Sequence, residues 1–283
     1  MNTLQKKPTL VLGGTGKAGR RVVERLEARG LPVRIGSRSG EPPFDWDAPE
    51  MWAPALEGVG SVYLSHYLDV VPGAAETIGA FAKQSVASGV TRIVHLSGRG
   101  EREAELAEQA VSDSGAELTI LRSTWFSQNF SESFFVDGLL AGALALPAGD
   151  TGEPFVDAED IAEVAVAALL DDRHIGQLYE LTGPRLLSFA EAVREIAVAT
   201  GREIRYVPIS LAAFASEFAA QGVPSDVVDL LTYLFGEVLD GRNAHLTDGV
   251  QRALGREPRD FADYARAAAA TGAWSPAPAR RAA

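Results

Sequence analysis

A cluster of glycines near the amino end constrains this chain more than any other feature. Leu10-Val11-Leu12-Gly13-Gly14-Thr15-Gly16-Lys17-Ala18-Gly19 sets an apolar run before the glycines and an amphipathic run after them. Gly14, Gly16 and Gly19 spell GxGxxG, and Gly13, Gly16 and Gly19 also spell GxxGxxG. Such glycines permit a tight strand-to-helix turn and let backbone N–H groups approach a pyrophosphate. The last of them lets the helix pack closely on the strand. In a chain with 28 glycines the pattern alone is weak. Its context gives it weight: an apolar strand before, a helix after, and a second strand at the right distance. The competing reading is a plain tight turn. No Gly-Lys-Ser/Thr follows at the spacing of a Walker loop.

The rest of the chain continues the alternation. Strands are expected at Thr9–Leu12, Pro32–Gly36, Ser61–Ser65, Arg92–Ser97 and Leu118–Arg122, with helices over Lys17–Arg29, Gly73–Ser88 and Arg102–Ser114 between them. This order predicts a doubly wound parallel sheet of the Rossmann type. After Asp150 the pattern changes to Ile161–Leu170 (helix), Leu178–Leu181 (strand), Phe189–Thr200 (helix) and Glu203–Pro208 (strand), then a mostly helical stretch from Leu211 to Ala270. The expected division is a nucleotide-binding core over residues 1–150 and a mixed region over 151–283 that completes the sheet and forms a smaller, helical substrate cap.

Composition narrows the function classes. At 283 residues, 46% hydrophobic and 23% charged, the chain reads as a globular α/β protein. A net charge of -12 argues against nucleic acid and anionic membranes as partners. With no cysteine, disulfides, thiolate metal sites and thiol nucleophiles are excluded. The opening MNTLQKKPTL lacks the apolar core of a signal peptide, so a cytoplasmic protein is expected. Four histidines without a metal-ligand spacing predict no metal site.

Several residues carry possible chemistry. The second strand runs into Gly36-Ser37-Arg38-Ser39, where a loop preferring NAD usually places an acid for the ribose hydroxyls. Arg38 suits a 2′-phosphate instead, which points to NADP(H). His66 and Tyr67 follow the third strand and are the candidate proton donors. His95 reads as a satisfied core histidine, and His174 and His245 as solvent-facing. Asp160 reads as a helix cap, whereas Asp157 is a candidate to face the pocket. Trp125, Phe126, Phe130, Phe134 and Phe135 have helical spacing, and Trp125 and Phe126 are candidates to stack on cofactor or substrate. Tyr233 and Phe235 are candidates to line the cap.

Five segments together, VLGGTGKAGRRV, RIGSRSGEPPFDW, GVTRIVHLSGRG, GAELTILRSTWFSQNF and EPFVDAEDIAEVA, resemble the NmrA-like atypical short-chain dehydrogenase/reductases. The chain is similar in particular to the subgroup of ergot-alkaloid agroclavine dehydrogenases. The resemblance implies that Gly13, Thr15, Gly16, Lys17 and Ala18 wrap the pyrophosphate and that Ser37 and Arg38 hold the adenosine 2′ side. It places Asp45 and Trp46 near the adenine, with Leu64, Ser65, His66, Ser97 and Gly98 at the sheet's carboxyl edge. Thr124, Trp125 and Phe126 would border the nicotinamide, with Asn129 one helical turn further; read from the residues themselves, Trp125, Phe126, Asn129, Asp157 and Tyr233 are the candidates for the substrate pocket. One departure stands out. Short-chain dehydrogenases usually carry Tyr-x-x-x-Lys on the helix after the fourth strand, but that segment here is GEREAELAE.

The expectation is therefore an NADPH-dependent oxidoreductase acting on a small or medium hydrophobic molecule that needs little protonation, such as an imine or iminium, an enone or a quinone. The alternative is a non-catalytic NADP(H) redox sensor that binds a partner protein. Either protein would be a monomer or homodimer.

Overall fold

The computed structural model describes residues 7–66, 69–71 and 73–275. In chain order the elements are β1 (Thr9–Leu12), α1 (Lys17–Glu27), β2 (Val33–Gly36), α2 (Trp52–Leu56), β3 (Ser61–Ser65), α3 (Ala74–Ala87), β4 (Arg92–Gly98), α4 (Arg102–Ser112) and β5 (Glu117–Ser123). Then follow α5 (Phe135–Ala141), β6 (Ala143–Leu146), α6 (Ala158–Leu170), β7 (Leu178–Leu181), α7 (Phe189–Thr200) and β8 (Arg205–Pro208). The chain continues through α8 (Leu211–Ala220), α9 (Ser225–Tyr233), a π-helical turn (Leu234–Val238), α10 (Gly249–Leu254) and α11 (Phe261–Ala270). Two compact units result. One takes in the chain up to Thr124, Ala158–Thr182 and Thr247–Pro258; the other takes in Trp125–Asp157, Gly183–Leu246 and the chain from Arg259.

The first unit holds a six-stranded parallel sheet in the order β2-β1-β3-β4-β5-β7. All four residues of β1 are buried, as a central strand covered on both faces requires. On one face Leu10, Leu12, Val62, Leu64 and Ile93 pack against Trp52, Phe81, Ala107 and Val111 of α2, α3 and α4. The helix α6 packs on α1, β3, β4 and β5, and most of its residues are buried. The register aligns Leu64 with His95 and Ser97 with Arg122, so His95, Ser97 and Arg122 share the α4 face by strand alternation. There Arg122 clamps Glu108 of α4 through Nε–Oε1 at 2.8 Å and Nη2–Oε2 at 2.7 Å.

The second unit is built around aromatic side chains. Phe130, Phe135, Phe155, Phe189, Phe214, Phe235, Phe261 and Trp274 are all buried in one cluster. A two-stranded parallel sheet, β6 with β8, lies in this unit. The spacing predicted no strand at Ala143–Leu146, because a four-residue alternation of Ala and Leu carries no distinct period. The helix α7 begins with a capping box in which Ser188 and Glu191 satisfy each other's backbone N–H groups.

Two histidine expectations need correction. His174 is buried, with Nδ1 2.8 Å from the Tyr179 hydroxyl and Nε2 accepting from Arg173 Nε at 3.1 Å. A turn context suggested solvent, but the turn folds inward onto β7. His95 is buried as expected, yet neither ring nitrogen has a hydrogen-bond partner, so it is not a satisfied core histidine. His245 is exposed. Among the described residues no helix is long and apolar enough to cross a membrane, and no group of acids and histidines could hold a metal ion.

Candidate functional site

The glycine turn divides into two sets. Gly13, Thr15 and Gly16 are exposed and Lys17 is half-buried, while Gly14, Ala18 and Gly19 are buried. Gly13 sits at φ 65, a left-handed conformation that excludes most side chains. Its carbonyl accepts from Gly16 N at 2.8 Å and closes the turn. A Cβ at Gly19 would lie 2.2 Å from Gly13 O, so Gly19 is what lets α1 press on the turn. A Cβ at Gly16 meets only Gly13 O, at 3.2 Å, and is therefore close to permissible within the protein itself.

The start of α1 is uncapped. Gly16 is the N-cap residue, no side chain bonds there, and no acid occupies the first turn. Free N–H groups at a positive helix end make an anion site. The turn also lies at the reversal of strand order, where β1 adjoins both β2 and β3; ligands of open sheets bind there, outside the carboxyl ends of the strands. A Cβ on Gly13 would lie 3.5 Å from Ser65 Oγ, so the fold brings the turn and the end of β3 together. These donors and this open cradle fit the pyrophosphate of a dinucleotide.

The β1–β2 register pairs Leu12 with Gly36, which sets Ser37 and Arg38 at the strand end beside the turn. Ser37 O accepts from Gly40 N and Phe44 N, curling the loop, and Arg38 is exposed with no ion pair among the described residues. Asp45 is half-buried and spends its Oδ1 on Asp47 N at 3.1 Å. Trp46 is buried among Phe44, Trp52 and Phe81, and its ring lies 4.6 Å from that of His66. The Leu64 side chain is wholly buried in the core and offers a ligand no side-chain surface. Tyr67 lies outside the described residues.

At the end of β4, Ser97 is buried with no hydrogen-bond partner for its Oγ. Beyond it, a Cβ on Gly98 would meet Glu101 Oε1 at 2.9 Å and Val70 Cγ1 at 3.4 Å, so the 69–71 segment packs over the strand end. Thr124 is buried, its N–H directed to Leu181 O. The helix α4 contains neither Tyr nor Lys.

Electrostatics single out two groups beside this edge. Burial lowers the His95 pKa to about 3, helped by His66 nearby. Asp69 is pushed up to about 7, chiefly by burial, against hydrogen bonds from its own N–H and that of Gly98, with the Glu108 charge adding to the rise. Asp69 is inconspicuous in the sequence. Its only signal there is a carboxylate four residues beyond β3.

In the second unit, Trp125 packs its ring 5.4 Å from Phe189 and 5.0 Å from Phe235. Phe126 is half-buried and forms a bridge with Val156. Asn129 lies in the 3-10 turn Ser127–Phe130. Asp157 is buried and accepts from Gln128 Nε2 at 2.7 Å. Tyr233, half-buried, closes α9 near Arg242. Phe130 and Phe135 are core, while Phe134 is exposed. Asp160, in the first unit, has Oδ1 2.7 Å from Arg256 Nη2, a partner distant in sequence that spacing did not suggest.

No protein-family model matches the chain. The uncharacterised oxidoreductase YesF of Bacillus subtilis is 34% identical over 279 residues, spanning 94% of this chain and 97% of that protein. The chain belongs to the NmrA-like atypical short-chain dehydrogenase/reductase family. An NAD(P)H azoreductase of Xenophilus azovorans is 30% identical over 92% of the chain and 98% of its own length. Agroclavine dehydrogenase of Claviceps fusiformis is 29% identical over 90% and 95%. Among solved structures, an NADPH-dependent quinone oxidoreductase of Escherichia coli complexed with NADPH superposes with a TM-score of 0.73 at 23% identity, covering 91% of this chain and 98% of that one. The fold is that of the family, and its relatives include oxidoreductases such as the NAD(P)H azoreductase.

Proposed function

We propose that this family member is an NADPH-dependent reductase of imines or iminium ions, enones or quinones, close in substrate class to the agroclavine dehydrogenases. The observation that carries the cofactor is the uncapped α1 N-terminus together with an exposed Arg38 that has no ion pair among the described residues. Gly13, Thr15, Gly16 and Lys17 would hold the pyrophosphate, and Ser37 and Arg38 the 2′-phosphate. Buried Gly14, Ala18 and Gly19 would support them by packing. Residues 1–150 would hold most of the cofactor and 151–283 would furnish the cap. Asp45, Trp46, Ser65, His66, Ser97, Gly98 and Thr124 would complete the cofactor site. Trp125, Phe126, Asn129, Asp157 and Tyr233 would bound the substrate pocket. The bound cofactor supplies a hydride, and the chain's part is to orient it and exclude water.

The substrate class follows from a missing pair. Hydride transfer to a neutral ketone develops alkoxide charge, which α4 has no Tyr or Lys to meet. An iminium carbon becomes a neutral amine without a proton, whereas a quinone delocalises the charge it gains and still takes up one proton to become the hydroquinone.

The test begins with cofactor titration. NADPH should bind more tightly than NADH by about 1.5–3 kcal/mol, the range of a charge-assisted contact, and Arg38→Asp should reverse the order. Equal affinities in the native protein would remove the basis for NADPH. Turnover is then measured on a panel of imines, quinones and ketones. Tight NADPH binding without turnover on any of them would favour a redox sensor instead.

A further inference from the structure

The missing Tyr and Lys leave unanswered which group supplies a proton when the substrate does need one. Three side chains at the carboxyl edge are candidates among the described residues. His66 lies against the Trp46 ring, and His95 is sealed within the sheet. Asp69 differs from both. It follows β3, lies half-buried over the end of β4, and takes the Gly98 N–H on its carboxyl group. Gly98 ends a central strand whose neighbour β3 reaches the glycine turn through Ser65. Ser97, the residue before it, buries an unpartnered hydroxyl oxygen, so this edge holds polar capacity that the protein alone does not satisfy.

We propose that Asp69 is the catalytic proton donor of the reduction, an assignment that rests on the oxidoreductase reading above. With a pKa of about 7 the group is substantially a neutral carboxylic acid at neutral pH and can donate. The charged groups around it fit that role. Glu108, on α4, disfavours a second negative charge nearby and is itself clamped by Arg122. Glu101 Oε1 and Val70 Cγ1 would both meet a Cβ on Gly98, at 2.9 and 3.4 Å, so Glu101 shares the strand end with this segment, and Arg99 Nε is turned to Glu180 at 3.3 Å. Glu108 is the charged group that acts on Asp69, and it favours the neutral acid.

The chemistry balances for a quinone. NADPH is oxidised and the quinone reduced as the hydride carries its electron pair across, leaving a hydroquinone monoanion. The Asp69 O–H bond breaks, its proton forms the new O–H bond on the monoanion, and the Asp69 carboxylate recovers a proton from water. An N-methyl cyclic iminium accepts hydride at carbon and needs no proton. The two substrates therefore separate donation from binding.

The experiment compares native protein with Asp69→Asn and Asp69→Glu, using NADPH with 1,4-benzoquinone or an N-methyl cyclic iminium salt. In Asp69→Asn the ratio of quinone to iminium turnover should fall by about 10²-fold or more, the usual worth of a general acid, and Asp69→Glu should restore part of it. In the native protein quinone kcat should decline as pH rises through about 7, where the acid form is lost. Independently of activity, carbon-13 NMR of aspartate-labelled protein without cofactor should show one carboxyl titrating near neutrality, absent in Asp69→Asn. An unchanged turnover ratio, or no such carboxyl, overturns the assignment while leaving the oxidoreductase reading intact. Native protein that binds NADPH but reduces neither probe sinks both.

Discussion

Glycines that look equivalent in a motif do different work at the scale of the residue. Gly19 is constrained by the protein, since a Cβ there would sit 2.2 Å from Gly13 O. Gly16 is constrained chiefly by what would lie outside, because its Cβ meets only one atom, at 3.2 Å. Gly19→Ala should therefore lower stability by about 1–3 kcal/mol through overpacking. Gly16→Val should stay folded and lose NADPH binding; unaltered affinity would reduce the loop to a turn. Thermal unfolding and cofactor titration on both variants separate the two effects. His95 offers a second residue-scale outcome. Its pKa is about 3 when folded against 6.5 when free, so between those values the unfolded chain binds the extra proton. The stability it leaves intact above 6.5 is lost as pH falls through this window, by at most about 1.4 kcal/mol per pH unit. His95→Leu removes that proton and the unpaired ring nitrogens. It should be neutral or stabilising at pH 7 and shallower in its acid decline, as urea unfolding at several pH values can read. An acid slope identical to the native one would show that His95 does not set it.

Elements dock through backbone as well as through side chains. The segment entering α10 is stitched to β7, with Thr247 Oγ1 donating to Glu180 O at 2.6 Å and Thr247 N donating to Thr182 Oγ1 at 3.2 Å. A Cβ on Gly249, the first residue of α10, would lie 2.1 Å from Glu180 O. Gly249→Ala should push α10 off β7 and cost about 1–3 kcal/mol, visible as a lower urea midpoint. Wild-type stability would mean that α10 shifts at little cost. Docking of this kind also marks how far the sequence could be read. The strands β1, β3 and β7 and the helix α7 fall where their apolar periods end, because glycine, proline and Ser-x-x-Glu punctuate them. β4 and β5 extend one residue beyond expectation at Gly98, Glu117 and Ser123, where pairing with a neighbour decides what local pattern does not. The β6–β8 pair and the burial of His174 depend on partners distant in sequence. The glycine turn was legible as a strand-to-helix turn because its backbone chemistry is local, whereas Asp69 acquires its character only when the end of β4 covers it.

At the scale of the whole molecule, charge should influence which substrates arrive. There are 38 acids against 26 Lys and Arg, a net charge of -12, and such a field attracts cations and repels anions before any contact is made. NADPH is an anion, so on the proposed reading its binding would rely on the local N–H groups of α1 and on Arg38 rather than on the global field. An iminium substrate is a cation and should gain from that field. Salt screens it, with a Debye length of about 30 Å at 0.01 M and about 10 Å at 0.1 M. With NADPH saturating, kcat/KM for an N-methyl cyclic iminium should therefore fall as sodium chloride is raised from about 0.01 to 0.3 M, over which the field is progressively screened. A neutral quinone measured in parallel should show little change, and kcat should stay flat for both, because screening acts on approach rather than on hydride transfer. A like response of the two substrates would place the salt effect on the protein or its cofactor. An iminium kcat/KM indifferent to salt would show that the acidic surface contributes nothing to substrate choice.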